Sequence, residues 1–154
     1  MKSKLLIALL LIAASSAVMA GKAEDQQIKS RQSAYGFAGW NLGKIKDQVV
    51  DHPEAYNKEQ VIAAANAIAA VANSGLGALF GPGTDEGTGW AKTRLKPEFF
   101  QQPDEAKKLA TDFNREANEL AKVAAGGDAG AIKTQLGKLS DTCKACHKSF
   151  KSKE

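Results

Sequence analysis

Apolar residues recur at steps of three and four along most of the chain after residue 24, a spacing that places them on one face of a helix. The chain is also rich in alanine, lysine, leucine and glutamine, and it shows little alternation of β-branched residues, which favours helices over strands. The pattern predicts four helices. They run roughly from Asp25 to Val50, from Lys58 to Asn73, from Pro103 to Gly126, and from a cap at Asp128 to Phe150.

Turn-forming residues separate these predicted helices. His52-Pro53 ends the first helix, because the residue before a proline avoids the helical region. Gly126-Gly127 stops the third helix, and the Asp128 side chain is suited to cap the fourth. Four amphipathic helices in one chain predict an all-α fold, a four-helix bundle.

The fourth predicted helix carries the sequence Cys143-Lys144-Ala145-Cys146-His147. A helix advances about 100° per residue, so Cys146 lies about −60° and His147 about +40° from Cys143, on a shared face. Two cysteines three apart followed by histidine are typical of c-type haem attachment, with each thiol forming a thioether and the histidine reaching the iron. The sequence therefore predicts one covalent haem c.

Two other interpretations of the cysteines remain open at this point. The pair could form a redox or structural disulfide, or half of a zinc site. A zinc site needs two further ligands, and His52 is the only spare histidine. A thioredoxin-like motif would accompany a βαβ pattern, which the sequence does not show.

The connection between the second and third helices, residues 74–102, is unusually long and rich in glycine. Loops of this length in compact domains are usually functional or disordered. No Gly-Lys-Ser/Thr sequence follows the glycines, so the segment is not a phosphate-binding loop. It contains several large apolar residues, namely Leu76, Leu79, Phe80, Trp90, Phe99 and Phe100. We expect these to cover a haem edge, with packing on ordinary core as the alternative.

The N-terminus has the features of a secretory signal peptide. Lys2 and Lys4 precede a short apolar run, and Val18-Met19-Ala20 fits a cleavage site. We expect residues 1–20 to be removed and residues 21–154 to form one haem domain in the periplasm, without membrane insertion. The net charge of +4 includes the two leader lysines. The chain lacks a basic arm or patch, so nucleic-acid binding is not expected.

The mature chain offers few ligands for the second face of an iron atom. The two methionines, Met1 and Met19, both lie in the leader, so a methionine–iron bond is excluded after cleavage. His52 stands beside Pro53 in a turn, where we expect an exposed side chain. These observations predict a five-coordinate iron ligated by His147, with an open face that binds small neutral diatomic gases.

At this point the chain resembles the cytochrome c′ family. The resemblance rests on the C-terminal position of the motif, on Arg31-Gln32, on the sequence Phe80-Gly81-Pro82-Gly83-Thr84, and on Thr93-Arg94 followed by Lys96-Pro97-Glu98. It covers nearly the whole mature chain. It implies an antiparallel up-down-up-down bundle, the topology already known for cytochromes c′.

The resemblance also implies roles for individual residues. Cys143 and Cys146 would form the thioethers, and His147 would be the proximal ligand. Arg31, Gln32, Arg94 and Glu98 would lie against the haem and its propionates. Tyr35 occupies the place where low-spin relatives have a ligating methionine, which implies a high-spin, five-coordinate iron with Tyr35 closing the distal side. Lys151 matches a common basic position, and Phe100 stands where a tryptophan is frequent.

The leading hypothesis is a periplasmic haem protein that binds nitric oxide or carbon monoxide and exchanges electrons with an unidentified redox partner. A different hypothesis is a redox enzyme acting on nitric oxide or peroxide, for which Tyr35 is the only distal candidate. A third is a haem-free helical module closed by a disulfide. Four lysines that could dock an acidic partner, or simply suit a solvated helix end, are Lys144, Lys148, Lys151 and Lys153.

The first predicted helix also indicates self-association. One side of this helix lacks side chains at three positions, Gly36, Gly39 and Gly43. Phe37 and Trp40 lie off the stripe that faces the haem. An exposed apolar strip of this kind predicts a homodimer in which the first helices of two copies pack together.

Overall fold

A computed structural model describes the backbone of residues 2–153 and the side chains of residue 21 and residues 23–153. The predicted signal peptide, residues 1–20, lies outside the residues whose side chains are described. The helices are α1 (Lys2–Lys46), α2 (Lys58–Ala72), the four-residue α3 (Glu98–Gln101), α4 (Pro103–Gly126) and α5 (Ala129–Phe150). In this described part, β-structure is limited to two isolated bridges.

The first helix differs from its prediction at both ends. It begins before Asp25, and its α-helical part ends at Lys46, where a π-helical turn (Asp47–Asp51) follows. In this turn the His52 amide reaches back to the Asp47 carbonyl, at 2.6 Å. Apolar spacing indicates which face is buried but not the hydrogen-bond register, so the sequence did not reveal this turn. The break at His52-Pro53 is confirmed.

The other helix ends follow their capping residues. The Asn57 side chain accepts a hydrogen bond from the Gln60 amide at the start of α2. At the start of α5, Asp128 accepts one from the Ala131 amide at 2.7 Å, as predicted. Gly127 ends α4 in the left-handed region, with φ of 81°, which glycine adopts without strain. The predicted boundaries of α2, α4 and α5 are therefore confirmed to within a residue or two.

The four long helices pack around one main core. Helix α4 lies against both α2 and α5, and α1 lies against α2. Because only Gly127 and Asp128 separate α4 from α5, these helices are antiparallel neighbours. The buried residues of this core include Ile45, Val61, Ala65, Ile68, Ala117, Leu120, Ile132, Leu136 and Leu139. The result is the predicted up-down-up-down bundle.

A second, smaller cluster lies beside the cysteine-containing end of α5. Phe150 is 2 % exposed and packs with Ala106 and Leu109 of α4. Leu95, Phe99 and Cys146 are partly buried and pack against this cluster. The last turn of α5 is thus anchored in apolar surroundings immediately after His147.

None of the helices in the described residues has both the length and the apolar character that crossing a bilayer requires.

Candidate functional site

The cysteine–histidine motif lies near the C-terminal end of α5. Cys143 and Cys146 are half-buried, and both thiols are free. Burial raises the pKa of each thiol, which keeps both protonated at neutral pH. His147 follows Cys146 directly, and its side chain is exposed. Partial desolvation and the positive charges of Lys151 and Arg94 lower the pKa of His147, which favours the neutral imidazole that binds metals.

Aromatic residues from three parts of the chain form a cluster next to the end of α5 that carries this motif. Tyr35 of α1 lies 6.3 Å from the Phe80 ring and 6.0 Å from the Phe113 ring of α4, centroid to centroid. Phe80 stacks on Phe99 at 4.7 Å. We call Tyr35, Phe80, Phe99 and Phe113 the aromatic wall. The long connection contributes two of its members, as the abundance of apolar residues in that segment predicted.

Tyr35 is the member of the aromatic wall whose pKa is affected by the cysteines of the motif. Burial, and secondarily the nearby Cys146 and Cys143 thiols, raise the pKa of Tyr35 to about 12, against a smaller lowering effect of Arg31. In a thioether the sulfur atoms carry no charge, so burial alone would then maintain this shift. At physiological pH the hydroxyl is a neutral group that can donate a hydrogen bond.

The residues at this site fit a covalently held haem. Two free thiols one helical turn apart can each bond a porphyrin substituent, and the neutral imidazole of His147 is an iron ligand. The aromatic wall offers an apolar surface of the kind that a porphyrin ring contacts. The donor set thus agrees with haem c rather than with a zinc ion, because His52, the only other histidine in the sequence, is exposed and lies beyond the end of α1, beside Glu54.

Arg31 ties the long connection to α1. Its side chain is 7 % exposed and donates to the Leu79 carbonyl at 3.0 Å. It also donates to the Thr84 hydroxyl and carbonyl, at 3.0 and 2.9 Å, and to the Thr93 hydroxyl at 2.9 Å. Its guanidinium lies 4.6 Å from the Phe80 ring centroid, and burial lowers its pKa. Its predicted contact with haem propionates stays a prediction, while these four bonds hold the loop.

Gln32 holds the next part of the same connection. Its side-chain amide donates to the Ala91 carbonyl at 2.8 Å and accepts from the Trp90 amide at 2.7 Å. Gly89 lies so close to α1 that a Cβ atom there would stand 2.6 Å from the Lys29 amide nitrogen. Gln32, like Arg31, therefore acts on the loop, and its predicted place beside the haem remains to be tested.

The remaining predicted site residues have other surroundings. Arg94 donates to the Ser152 carbonyl from Nε at 3.0 Å and from Nη2 at 2.7 Å, just beyond the motif. Glu98 begins α3 with an exposed side chain, and its haem contact stays a prediction. Phe100 packs edge-on against Phe99, at 5.5 Å, so it has a packing role.

Sequence reasoning missed some residues of the site. Thr84 and Thr93 are the buried acceptors of Arg31, yet they were noticed only as parts of motifs. Phe113, which lies beside Tyr35, was not among the predicted site residues. The apolar periodicity of α4 could have suggested Phe113, but no local pattern marks the two threonines.

The bundle and its C-terminal motif define a helical c-type cytochrome. The family described as Cytochrome C' matches residues 26–151. The chain therefore belongs to the cytochrome c′ family, whose members carry covalently attached haem c, and the predicted fold and cofactor are confirmed.

Individual relatives agree with this assignment. The chain is 52% identical to the cytochrome c′ of Allochromatium vinosum over 140 residues, which is 91% of this chain and 89% of that protein. A solved cytochrome c′ with an unusual ligand-controlled dimer dissociation is 52% identical, with a TM-score of 0.79 over 84% of this chain and 97% of that one. A ferrous variant of the Alcaligenes xylosoxidans protein with bound nitric oxide is 25% identical, with a TM-score of 0.74 over 85% and 97%.

Replacement of Arg31 by Met should loosen the connection without altering the bundle. The substitution keeps the aliphatic bulk but removes the Arg31 donor from the Leu79 carbonyl and from the Thr84 hydroxyl, at a cost of about 1–3 kcal/mol for each unsatisfied group. The Thr84 carbonyl keeps the Thr93 hydroxyl as a donor. We expect amide hydrogens of residues 80–93 to exchange at least about tenfold faster, measured by mass spectrometry. Arg115→Met, which removes only exposed ion pairs, is the control. Unchanged protection in Arg31→Met would contradict the role of these bonds.

Proposed function

We propose that this protein is an exported, high-spin cytochrome c′ that binds nitric oxide or carbon monoxide at the haem face next to Tyr35. The observation that carries the proposal is the position of Tyr35 among aromatic rings, near enough to Cys143 and Cys146 for these residues to affect its pKa. A tyrosine with a raised pKa is a poor iron ligand at neutral pH, so this face offers space and a neutral hydroxyl instead of a bond.

Three residues would hold the cofactor in this proposal. Cys143 and Cys146 would form the two thioethers, and His147 would ligate the iron. The haem supplies an iron centre that binds diatomic gases and changes its charge by one electron. Arg31, Gln32, Arg94 and Glu98 would flank it as the resemblance implies, with Arg31 and Gln32 acting mainly through the loop they hold.

Tyr35 would act as a gate on the distal side. Its ring is braced by Phe80 and Phe113, so it can exclude bulky molecules from the face that it borders. Its hydroxyl, protonated at neutral pH, can donate a hydrogen bond to a bound gas. The relative solved with bound nitric oxide supports this choice of ligand.

The protein would form a homodimer through α1. Phe37 and Trp40 are 51% and 59% exposed and stack on one another at 5.9 Å. A Cβ atom built at Gly36, Gly39 or Gly43 meets nothing within 4 Å, so a second helix can approach closely there. The relative with a ligand-controlled dimer dissociation supports self-association.

The protein would work in the periplasm and exchange electrons with an acidic partner. The leader of residues 1–20 supports export. Lys148, Lys151 and Lys153 have exposed side chains beside His147, while Lys144 pairs with Asp141 at 2.9 Å. This cluster would offer an acidic partner a positively charged surface next to the motif.

Expression of the full chain in a host that matures c-type cytochromes tests the haem assignment. We expect a periplasmic red protein whose haem stays on the polypeptide after acid–acetone extraction, with a high-spin ferrous spectrum. Replacement of both Cys143 and Cys146 by Ser should release the haem completely, because both thioethers are lost. A resting spectrum with two strong axial ligands would contradict the open face.

Replacement of Tyr35 by Ala tests the gate. The smaller side chain should raise the association rate of carbon monoxide by about tenfold or more, which corresponds to about 1.4 kcal/mol off the barrier. Stopped-flow mixing measures this rate. Tyr35→Phe, which keeps the ring, should leave association nearly unchanged and accelerate nitric oxide dissociation if the hydroxyl bonds the ligand. An unchanged rate in Tyr35→Ala would reject the gate.

Replacement of Trp40 by Glu tests the dimer. A carboxylate on an apolar helix face cannot be buried without a partner, so the variant should be monomeric at micromolar concentration in sedimentation velocity. Ala125→Glu places the same charge on an exposed position of α4 and should leave the dimer intact. A wild-type protein that sediments only as a monomer would refute the proposed interface.

A further inference from the structure

The C-terminal end of α5 is closed by a residue from the long connection. The last four carbonyls of any helix lack partners within that helix. In α5 the His147 carbonyl accepts from the Lys151 amide at 3.0 Å. The Lys96 ammonium donates to the Lys148 and Ser149 carbonyls, at 3.4 and 3.1 Å, and the Lys96 amide donates to the Phe150 carbonyl at 2.9 Å. One residue thus supplies partners for three of the four carbonyls.

Lys96 is held in place by the residues around it. We call residues 94–96 the strap. Leu95 forms an antiparallel bridge with Lys151, and the Ser152 amide donates to the Arg94 carbonyl at 2.9 Å. The Leu95 amide donates to the Thr93 hydroxyl, which also accepts from Arg31. The strap is therefore fixed both to α1 and to the segment that follows α5.

The charge of Lys96 suits this position. The C-terminal end of a helix carries a partial negative charge, so an ammonium placed on its carbonyls stabilises the final turn. Helix ends otherwise fray. Phe150 is buried on the other side of this turn, so an apolar anchor and a cationic cap hold it together.

His147 stands in this final turn, beyond both cysteines. Thioethers at Cys143 and Cys146 would restrain the helix only up to residue 146, and they would persist even if the turn after them unwound. The backbone that aims the imidazole therefore needs a separate restraint. We propose that Lys96 is a positioning residue for His147, closing the end of α5 so that the imidazole keeps one orientation; this rests on the proposed role of His147 as the iron ligand.

Lys96→Met in the haem-loaded protein tests the proposal. It removes the ammonium but keeps the backbone amide and most of the side-chain volume. Amide hydrogens of residues 148–151 should exchange about tenfold faster, equivalent to about 1.4 kcal/mol of local opening. In resonance Raman spectra of the ferrous protein, the iron–histidine stretching band should weaken or split, since the imidazole then samples more than one orientation.

Two further variants separate this role from general effects of charge and stability. Lys96→Arg, which retains a cation, should restore both signals to near wild-type values. Lys153→Met removes an exposed positive charge near the same helix end and should change neither signal. Wild-type exchange and an unaltered band in Lys96→Met would overturn the proposal. An equal effect of Lys153→Met would also overturn it, because net charge would then suffice.

Global stability provides the remaining comparison. If Lys96→Met lowers the denaturation midpoint but leaves the exchange of residues 148–151 and the band unchanged, Lys96 has only a structural role and the proposal fails. If the Met variant does not accumulate, Lys96→Gln is measured in the same way with the same expected changes. A wild-type ferrous protein without an iron–histidine band would instead overturn the ligand role of His147, while hydrogen exchange would still show whether Lys96 closes the helix.

Discussion

The arrangement of the site depends on the hydrogen bonds made by the buried guanidinium of Arg31. Within the described residues its hydrogen bonds go to carbonyls and hydroxyls of Leu79, Thr84 and Thr93. A buried cation with neutral partners costs free energy unless each donor is used, so the loop must keep the shape that provides those acceptors. That shape places Phe80 against the guanidinium and against Tyr35. The aromatic wall is therefore a consequence of how one charge is accommodated.

The connection between α2 and α4 serves both ends of the motif. Its first half supplies Phe80 to the side where Tyr35 lies, and its second half supplies Lys96 to the carbonyl end of α5. Thr93 stands between the two and bonds to Arg31. Because these contacts all come from one connection, the aromatic wall and the C-terminal end of α5 are parts of a single hydrogen-bonded unit. The length of this connection is thus explained by the two surfaces that it must reach.

Much of the fold could be predicted because its signals are local. Helical periodicity, the Gly127 stop and the Asp128 cap each depend on neighbours within one turn. The cysteine–histidine motif, which predicts the cofactor, is also local, and the family resemblance implied the topology. The contacts of Arg31 and Lys96 join residues about fifty positions apart and leave no periodic trace in the sequence. For the same reason the acceptor threonines were missed, and the π-helical turn was hidden because it changes register without changing which face is buried.

The two tryptophans lie in different parts of the structure. Trp40 lies on the glycine-lined face of α1, whereas the indole nitrogen of Trp90 donates to the Ser33 hydroxyl at 2.7 Å, with the Lys29 ammonium 4.0 Å above its ring. No other tryptophan occurs in the chain. Tryptophan fluorescence therefore has just two emitters, and a haem that quenches by energy transfer would affect each according to its own distance. With Trp40 replaced by Phe, the remaining emission comes from Trp90, and its quenching reports the distance between the connection and the cofactor.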